Sequence, residues 1–180
     1  MARKRQKTLS HGYSKRLLYV RPETKNRDTD ITQTYNTNQT ATFALTDIGA
    51  GSGASGRVGA KIRLSTLDVH CQTKNTTDGD FGRFILYVPK SITDRVAVSV
   101  NGAVNRDLFW VLWDKVFNLP QINVEPSHFH YTYRFPMSMI TEYFGSGATD
   151  ITKNGVYLYH VTDATTGQMD GFHRVWFQDN

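Results

Sequence analysis

An all-β domain is what this sequence predicts: an eight-stranded single jelly roll, with two packed antiparallel sheets, behind a disordered basic N-terminal arm. Three observations carry the expectation. Thr, Asn, Gly, Tyr and Phe are plentiful while Ala and Leu are scarce, a balance that favours strands and turns over helices. Several stretches alternate apolar and polar residues at period two, and no convincing helix of any length emerges. Connections as long as residues 89–107 argue against a simple meander and for a sandwich or barrel with crossovers.

The elements follow in chain order. Residues 1–27 hold nine of the 21 Lys and Arg residues: Arg3, Lys4, Arg5, Lys7, Lys15, Arg16, Arg21, Lys25 and Arg27. Glu23 is the single acid there, so this arm carries +8, whereas residues 28–180 hold 12 bases against 15 acids and carry −3. Apart from Leu17 to Val20 the arm has few apolar groups. It cannot bury enough surface to offset its ordering entropy and is expected to be disordered when alone, set off by Pro22. Residues 28–180 suffice for one domain with a real core.

From about residue 31 the chain reads as strands separated by turn-rich loops. Thr40 to Leu45 is rich in β-formers and runs into the loop Gly49 to Gly56. Lys61 to Gln72 alternates, with Ile62 and Leu64 on one face. Its apolar phase then shifts to Leu67, Val69 and Cys71, which predicts a bulge near Ser65 and Thr66. Asn75 to Asp80 is a turn. Phe81 to Val88 is apolar on both faces (Phe84, Leu86 and Val88 against Ile85 and Tyr87), the mark of a central strand. Leu108 to Phe117 is apolar apart from Asp114 and Lys115. Phe129, Tyr131, Tyr133 and Phe135 alternate with His128, His130, Thr132 and Arg134. Gly155 to Thr162 and Phe172 to Gln178 form the final pair. The reading gives eight strand candidates and no internal repeat.

Several function classes lose support at this stage. The one cysteine, Cys71, cannot form an internal disulfide. No apolar run approaches the roughly 20 residues of a membrane span, and the charged N-terminus lacks a following hydrophobic segment, so no signal peptide is read there. A soluble protein made in the cytosol is expected, and the glycosylation patterns at Asn38 and Asn75 are then chance matches. No Ser sits in a nucleophile elbow and no Cys has an obvious His partner, so no enzyme activity and no cofactor are expected.

Gly51, Gly53 and Gly56 match the dinucleotide-binding glycine pattern, but that pattern needs a helix to begin at its third glycine, and here a strand follows. His128 and His130 share one face of a strand and form half a metal site at most. No metal site is assigned to them. Asp78 and Asp80 could share a calcium ion between subunits, although a solvated turn is the expected reading. Tyr13 and Tyr19 could stack on unpaired bases, but are read as ordinary linker residues.

Three segments carry a family resemblance: Gly56 to Leu64 with the alternating strand that follows, Phe109 to Leu119, and Gly155 to Tyr159 with Val175 to Asp179. The first contains an Arg-x-Gly-x-x-Ile strand start (Arg57, Gly59, Ile62). The second contains Val111-Leu112 followed by Asp114, Lys115 and Phe117. With the basic arm, they resemble capsid proteins of small circular, Rep-encoding single-stranded DNA viruses, which are similar to geminivirus and satellite tobacco necrosis virus capsids. The resemblance implies a single jelly roll over residues 28–180 that assembles, as about 60 copies, into a small icosahedral T=1 shell around a genome. It also implies an inward-facing arm that doubles as a nuclear-import signal, for which Arg3, Lys4, Arg5 and Lys7 are the candidates and a host import receptor the partner. Virion and host nucleus are the implied locations, and no membrane is involved.

The arm's chemistry suits that role. Each Lys or Arg near a phosphate releases condensed counterions, giving sequence-independent, salt-sensitive affinity for single-stranded nucleic acid, with DNA favoured over RNA by the resemblance. About sixty arms would supply on the order of 500 positive charges, enough for roughly a thousand nucleotides or somewhat more. Both-face apolar strands would be covered by adjacent subunits, and Asp114 with Lys115 would pair with another subunit or emerge into solvent at a strand end. Two alternatives stay open: a coat protein of a satellite-like RNA virus, and a non-viral β-barrel module that binds single-stranded nucleic acid.

Overall fold

A computed structural model of the chain describes residues 23–36, 40–75, 80–119, 127–136, 138–163 and 166–180. In chain order the strands are β1 (Thr24–Asn36), β2 (Thr40–Ala44), β3 (Lys61–Asn75), β4 (Asp80–Pro89), β5 (Phe109–Leu119), β6 (Ser127–Arg134), β7 (Ile140–Tyr143), β8 (Ile151–Lys153), β9 (Tyr157–Thr162) and β10 (Thr166–Asp179). Among the described residues there is no helix, hence none long and apolar enough to cross a membrane. One sheet runs β1-β10-β3-β7-β8 with β6 also paired to β3; the other runs β2-β9-β4-β5. Every pairing between these strands, among the described residues, is antiparallel.

Setting aside the short β7–β8 pair, the other eight strands counted in chain order lie as 1-8-3-6 in one sheet and 2-7-4-5 in the other. That interleaving is the two-Greek-key order of a jelly roll, as expected. The β7–β8 pair, beside the first residues of β3, is an addition to the eight-strand expectation.

The expected boundary at residue 27 moves. Strand β1 begins at Thr24 and pairs along its whole length with β10, from Thr24 opposite Gln178 to Asn36 opposite Thr166. Its inward positions are Lys25, Arg27, Thr29, Ile31 and Gln33, mostly polar, so the period-two apolar signal is missing from its first half. The bulge in β3 is where the phase shift predicts it. Leu64 faces Phe177 and Thr66 faces Trp176, leaving Ser65 as the extra residue, and its hydroxyl donates to the Trp176 carbonyl at 3.1 Å. Ile62 and Leu64 before the bulge, and Leu67, Val69 and Cys71 after it, therefore all reach the interior.

Between the sheets Ile31, Leu64, Leu67, Val69, Phe84, Leu86, Val88, Leu158, Met169, Val175 and Phe177 form the main core. Each such side chain contributes about 1.5–3 kcal/mol by leaving water. A second cluster lies on the opposite face of β4 and β9, where Ile85, Tyr87, Tyr157, Tyr159 and Val161 meet Val96, Val100 and Phe109. Strand β4 is thus covered on both faces, as its sequence predicts. The cover on the second face, however, is the chain's own β4–β5 connection and not an adjacent subunit. That connection is tied down by polar contacts: the Tyr159 hydroxyl donates to the Val98 carbonyl at 2.8 Å, and the Val96 amide donates to the Tyr87 hydroxyl at 3.4 Å. Asp114 likewise finds its partner within the chain, in Arg83, rather than in another subunit or in solvent alone.

The Arg-x-Gly-x-x-Ile start of β3 also has a physical account. Arg57 is buried, with Nε donating to the Ile48 carbonyl at 2.9 Å and its other nitrogens donating to the carbonyls of Gly59, Gly145 and Gly147. Its guanidinium lies 3.9 Å from the centre of the Tyr143 ring. One side chain therefore gathers two loops. Gly59 has φ of 95°, a conformation that side chains disfavour, and Ile62 enters the core. The Gly51–Gly56 stretch is a loop closed by Gly51 and Arg57, whose amide and carbonyl meet at 2.9 Å, and it leads to strand β3 without a helix.

Candidate nucleic-acid interface

Of the nine expected binding cations, Arg3, Lys4, Arg5, Lys7, Lys15, Arg16 and Arg21 lie outside the described residues, as do Tyr13 and Tyr19. The other two stand on β1. Lys25 is 4% exposed, pairs with Asp179 at 2.8 Å and donates to the Gly56 carbonyl at 2.9 Å. It is held by the body and is not available to a ligand, a correction to its assignment as an arm residue. Arg27 is half-buried on the same side, near enough to act electrostatically on Asp47 and His173. The calcium candidates Asp78 and Asp80 also fall outside what is described, Asp78 entirely and Asp80 as a side chain, and so does Asn38.

Since β1 is an outer strand of the six-stranded sheet, residues before Thr24 join the body at one end of that sheet. Beside the junction a groove is lined by Thr24, Thr66, Asp68, Thr132, Arg134 and Trp176. On the outward face of β10, Phe172, Arg174, Trp176 and Gln178 alternate with the inward His173, Val175 and Phe177. Arg174 lies 5.6 Å from the Trp176 ring centre and 5.7 Å from that of Phe172. Asp28 fixes it through two bonds of 2.6 Å, and that contact holds the Asp28 carboxyl below its ordinary range.

Farther across the same face, the Phe172 ring stacks on His70 at 4.8 Å, and His70 stacks on His130 at 4.0 Å. His70 therefore has Phe172 and His130 against it, and only aromatic faces left open on this sheet could stack on unpaired bases, each such contact being worth about 1–3 kcal/mol. Arg134 is the exposed cation of the groove, and Thr66 and Thr132 place hydroxyls beside it. Sequence reasoning did not single out Trp176, Arg174 and Phe172. The signal for them is the alternation within β10, which separates an aromatic and basic outward set from an apolar inward one.

The histidines sit differently from their sequence reading. His128 and His130 do share the outward face of β6, and the β3–β6 register brings His70 directly opposite His130. Asp68, His70 and His130 each offer one ligand atom, all within 4.8 Å of one another. The half site therefore has further candidate ligands, on β3.

No family model and no curated protein matches the sequence. Among solved structures, the chain is similar to the BFDV capsid protein crystallised as a 60-mer, with 12% identity over 89% of this chain and 94% of that one, TM-score 0.39. It is similar to desmodium yellow mottle tymovirus at 10% identity over 88% of this chain and 89% of that one, TM-score 0.39. It is also similar to the Gx strain of infectious bursal disease virus, at 10% identity over 89% of this chain, TM-score 0.40. The chain spans about a third of the length of that last protein, 33%.

Proposed function

We propose that this protein is a viral capsid subunit: a non-enzymatic jelly roll that assembles into a small icosahedral shell and packages single-stranded nucleic acid. The observation that carries the reading is the pairing of jelly-roll strand order with a sequence whose first 22 residues hold seven bases and no acid. Those residues join the body at the sheet whose outward face carries Trp176, Phe172 and Arg134. The arm and that face meet the genome, and the rest of the body makes the wall. Exposed apolar side chains away from that groove, Phe144 at 92% and Trp110 at 53%, supply contacts between copies.

Single-stranded DNA as genome, about sixty copies, and nuclear import through Arg3, Lys4, Arg5 and Lys7 belong to the same reading. The motifs at Arg57, Gly59 and Ile62 and at Asp114 to Phe117 support them by resemblance. A five-stranded oligonucleotide-binding barrel is a poorer account, since the strands lie in two separate sheets. A satellite-like coat protein differs only in the nucleic acid carried.

The test is heterologous expression, negative-stain electron microscopy of the purified protein, and extraction of nuclease-resistant nucleic acid. Closed shells of uniform size are expected, and digestion with DNase or RNase identifies the cargo. A protein that stays monomeric at high concentration across salt and pH overturns the reading.

A further inference from the structure

We infer that Asp68, His70 and His130 bind one divalent transition-metal ion of the zinc class on the outward face of the six-stranded sheet. The inference stands independently of the capsid reading. The antiparallel register sets His70 opposite His130, their rings lie 4.0 Å apart at 15°, and one nitrogen of each lies within 4.8 Å of the other and of an Asp68 oxygen. Asp68 precedes His70 by two residues and shares its face. Its Oδ1 is 3.7 Å from His130 Nε2, too long for a hydrogen bond.

The carboxylate carries the second observation. Oδ1 of Asp68 is buried and has no hydrogen-bond partner among the described residues. A carboxylate oxygen withdrawn from water without a partner is costly, and a cation between it and the two imidazoles would remove that cost. Two imidazoles with one carboxylate suit zinc, which binds such ligands at about 2.0–2.2 Å in tetrahedral geometry. His130 is exposed, so small rotations of its side chain can close the separations of up to 4.8 Å. The cavity beside the site, lined by Gln72, His128, Asp170 and Phe172 among others, leaves the fourth position to water. Arg174 is the nearby opposing charge, acting on Asp68 across the same face, but its guanidinium is already engaged by Asp28. A bound ion would tie β6 to β3, its partner strand in the sheet.

The competing state leaves the site to a proton and to the Thr132 hydroxyl, 3.2 Å from His130 Nε2, with His130 a simple ion-pair partner of Asp68. Titration of the full chain, stripped with chelator, with Zn²⁺ at pH 7.5 separates the two. One ion per chain is expected, with a raised melting temperature. His70→Gln and His130→Gln should each weaken binding at least tenfold, whereas His128→Gln should leave affinity within about twofold. At pH 5 binding should fall, because imidazoles must lose their protons to ligate. Should the variants fail to fold, Co²⁺ added to the wild-type chain must broaden the ring signals of His70 and His130 and give four-coordinate visible absorption. Binding below one ion per chain, or binding unchanged in the His70→Gln, His130→Gln double variant, overturns the site.

Discussion

The guanidinium of Arg83 on β4 meets both carboxylate oxygens of Asp114 on β5, at 2.7 and 2.6 Å. Its remaining donors reach the carbonyls of Val100 at 2.9 Å and Gly102 at 2.6 Å, so one side chain fastens the β4–β5 connection to the sheet beneath. Asp114→Asn would leave that buried cation without its counter-charge. A loss of about 2–3 kcal/mol is expected, lowering the melting temperature by roughly 5–10 °C. Limited proteolysis should then cut within residues 94–104 while β3 and β10 stay protected. Unchanged melting with unchanged cleavage would show that the connection is held by its apolar residues alone.

Gly171 of β10 passes so close to β3 that a Cβ there would lie 2.0 Å from the His70 carbonyl oxygen. The obstacle is backbone in the middle of a sheet, which cannot turn aside as a side chain would. Gly171→Ala is expected to cost about 3 kcal/mol or more, whereas Gly53→Ala, which meets nothing within 4 Å, should change stability by less than about 0.5 kcal/mol. Urea midpoints of the two variants decide this. Equal midpoints would mean that β10 lies farther from β3 than described.

These two sites show what the sequence could and could not convey. Alternation is a local signal, so the bulge at Ser65 and the two apolar faces of β4 were legible from residues that follow one another. The partner of a residue is not local. Ile85 and Tyr87 announce that a cover is needed without saying whose, and the answer, Val96 and Val100, lies in a connection whose valines alternate yet form no strand. Asp114 is equally mute about Arg83, which lies 31 residues away. The start of β1 is hidden in the sequence because its first residues have the composition of a disordered arm. Lys25 has the charge of an arm residue and the burial of a core one, satisfied by Asp179 from the far end of the chain. His70 and His130 were both visible, but only the strand register unites them.

Two inward histidines make the fold acid-sensitive. Burial pushes His160 down to about 3 and His173 down to about 4, from an ordinary value of 6.5. His160 is held there beside Gln33, its Nδ1 and the Gln33 Oε1 2.7 Å apart. Both rings are neutral in the fold, while in the unfolded chain they take up protons near pH 6.5. Their contribution is thus complete above about pH 6.5 and declines as pH falls toward their folded values. With both titrating, the slope approaches about 2.7 kcal/mol per pH unit between pH 6 and 4. His173→Gln should roughly halve it. Denaturant melts at pH 7.5, 6, 5 and 4.5 test this, and stability that holds constant or rises on acidification would refute it.

The burial of Lys25 separates two roles that charge alone runs together. Deleting residues 1–22 removes seven bases and no acid and leaves β1 whole. Nucleic acid recovered with the protein should largely disappear, and the salt dependence of binding to single strands should lose about 5 from its logarithmic slope, since each base contributes about 0.7. The melting temperature should hardly change. Lys25→Met should do the reverse. It leaves Asp179 without its buried partner and the Gly56 carbonyl without a donor, at a cost of about 2 kcal/mol, while the cargo stays as it was. Both quantities can be read from one preparation, by absorbance ratio and by calorimetry. If Lys25→Met sheds nucleic acid as completely as the deletion does, Lys25 must reach phosphate, and the body cannot begin at Thr24.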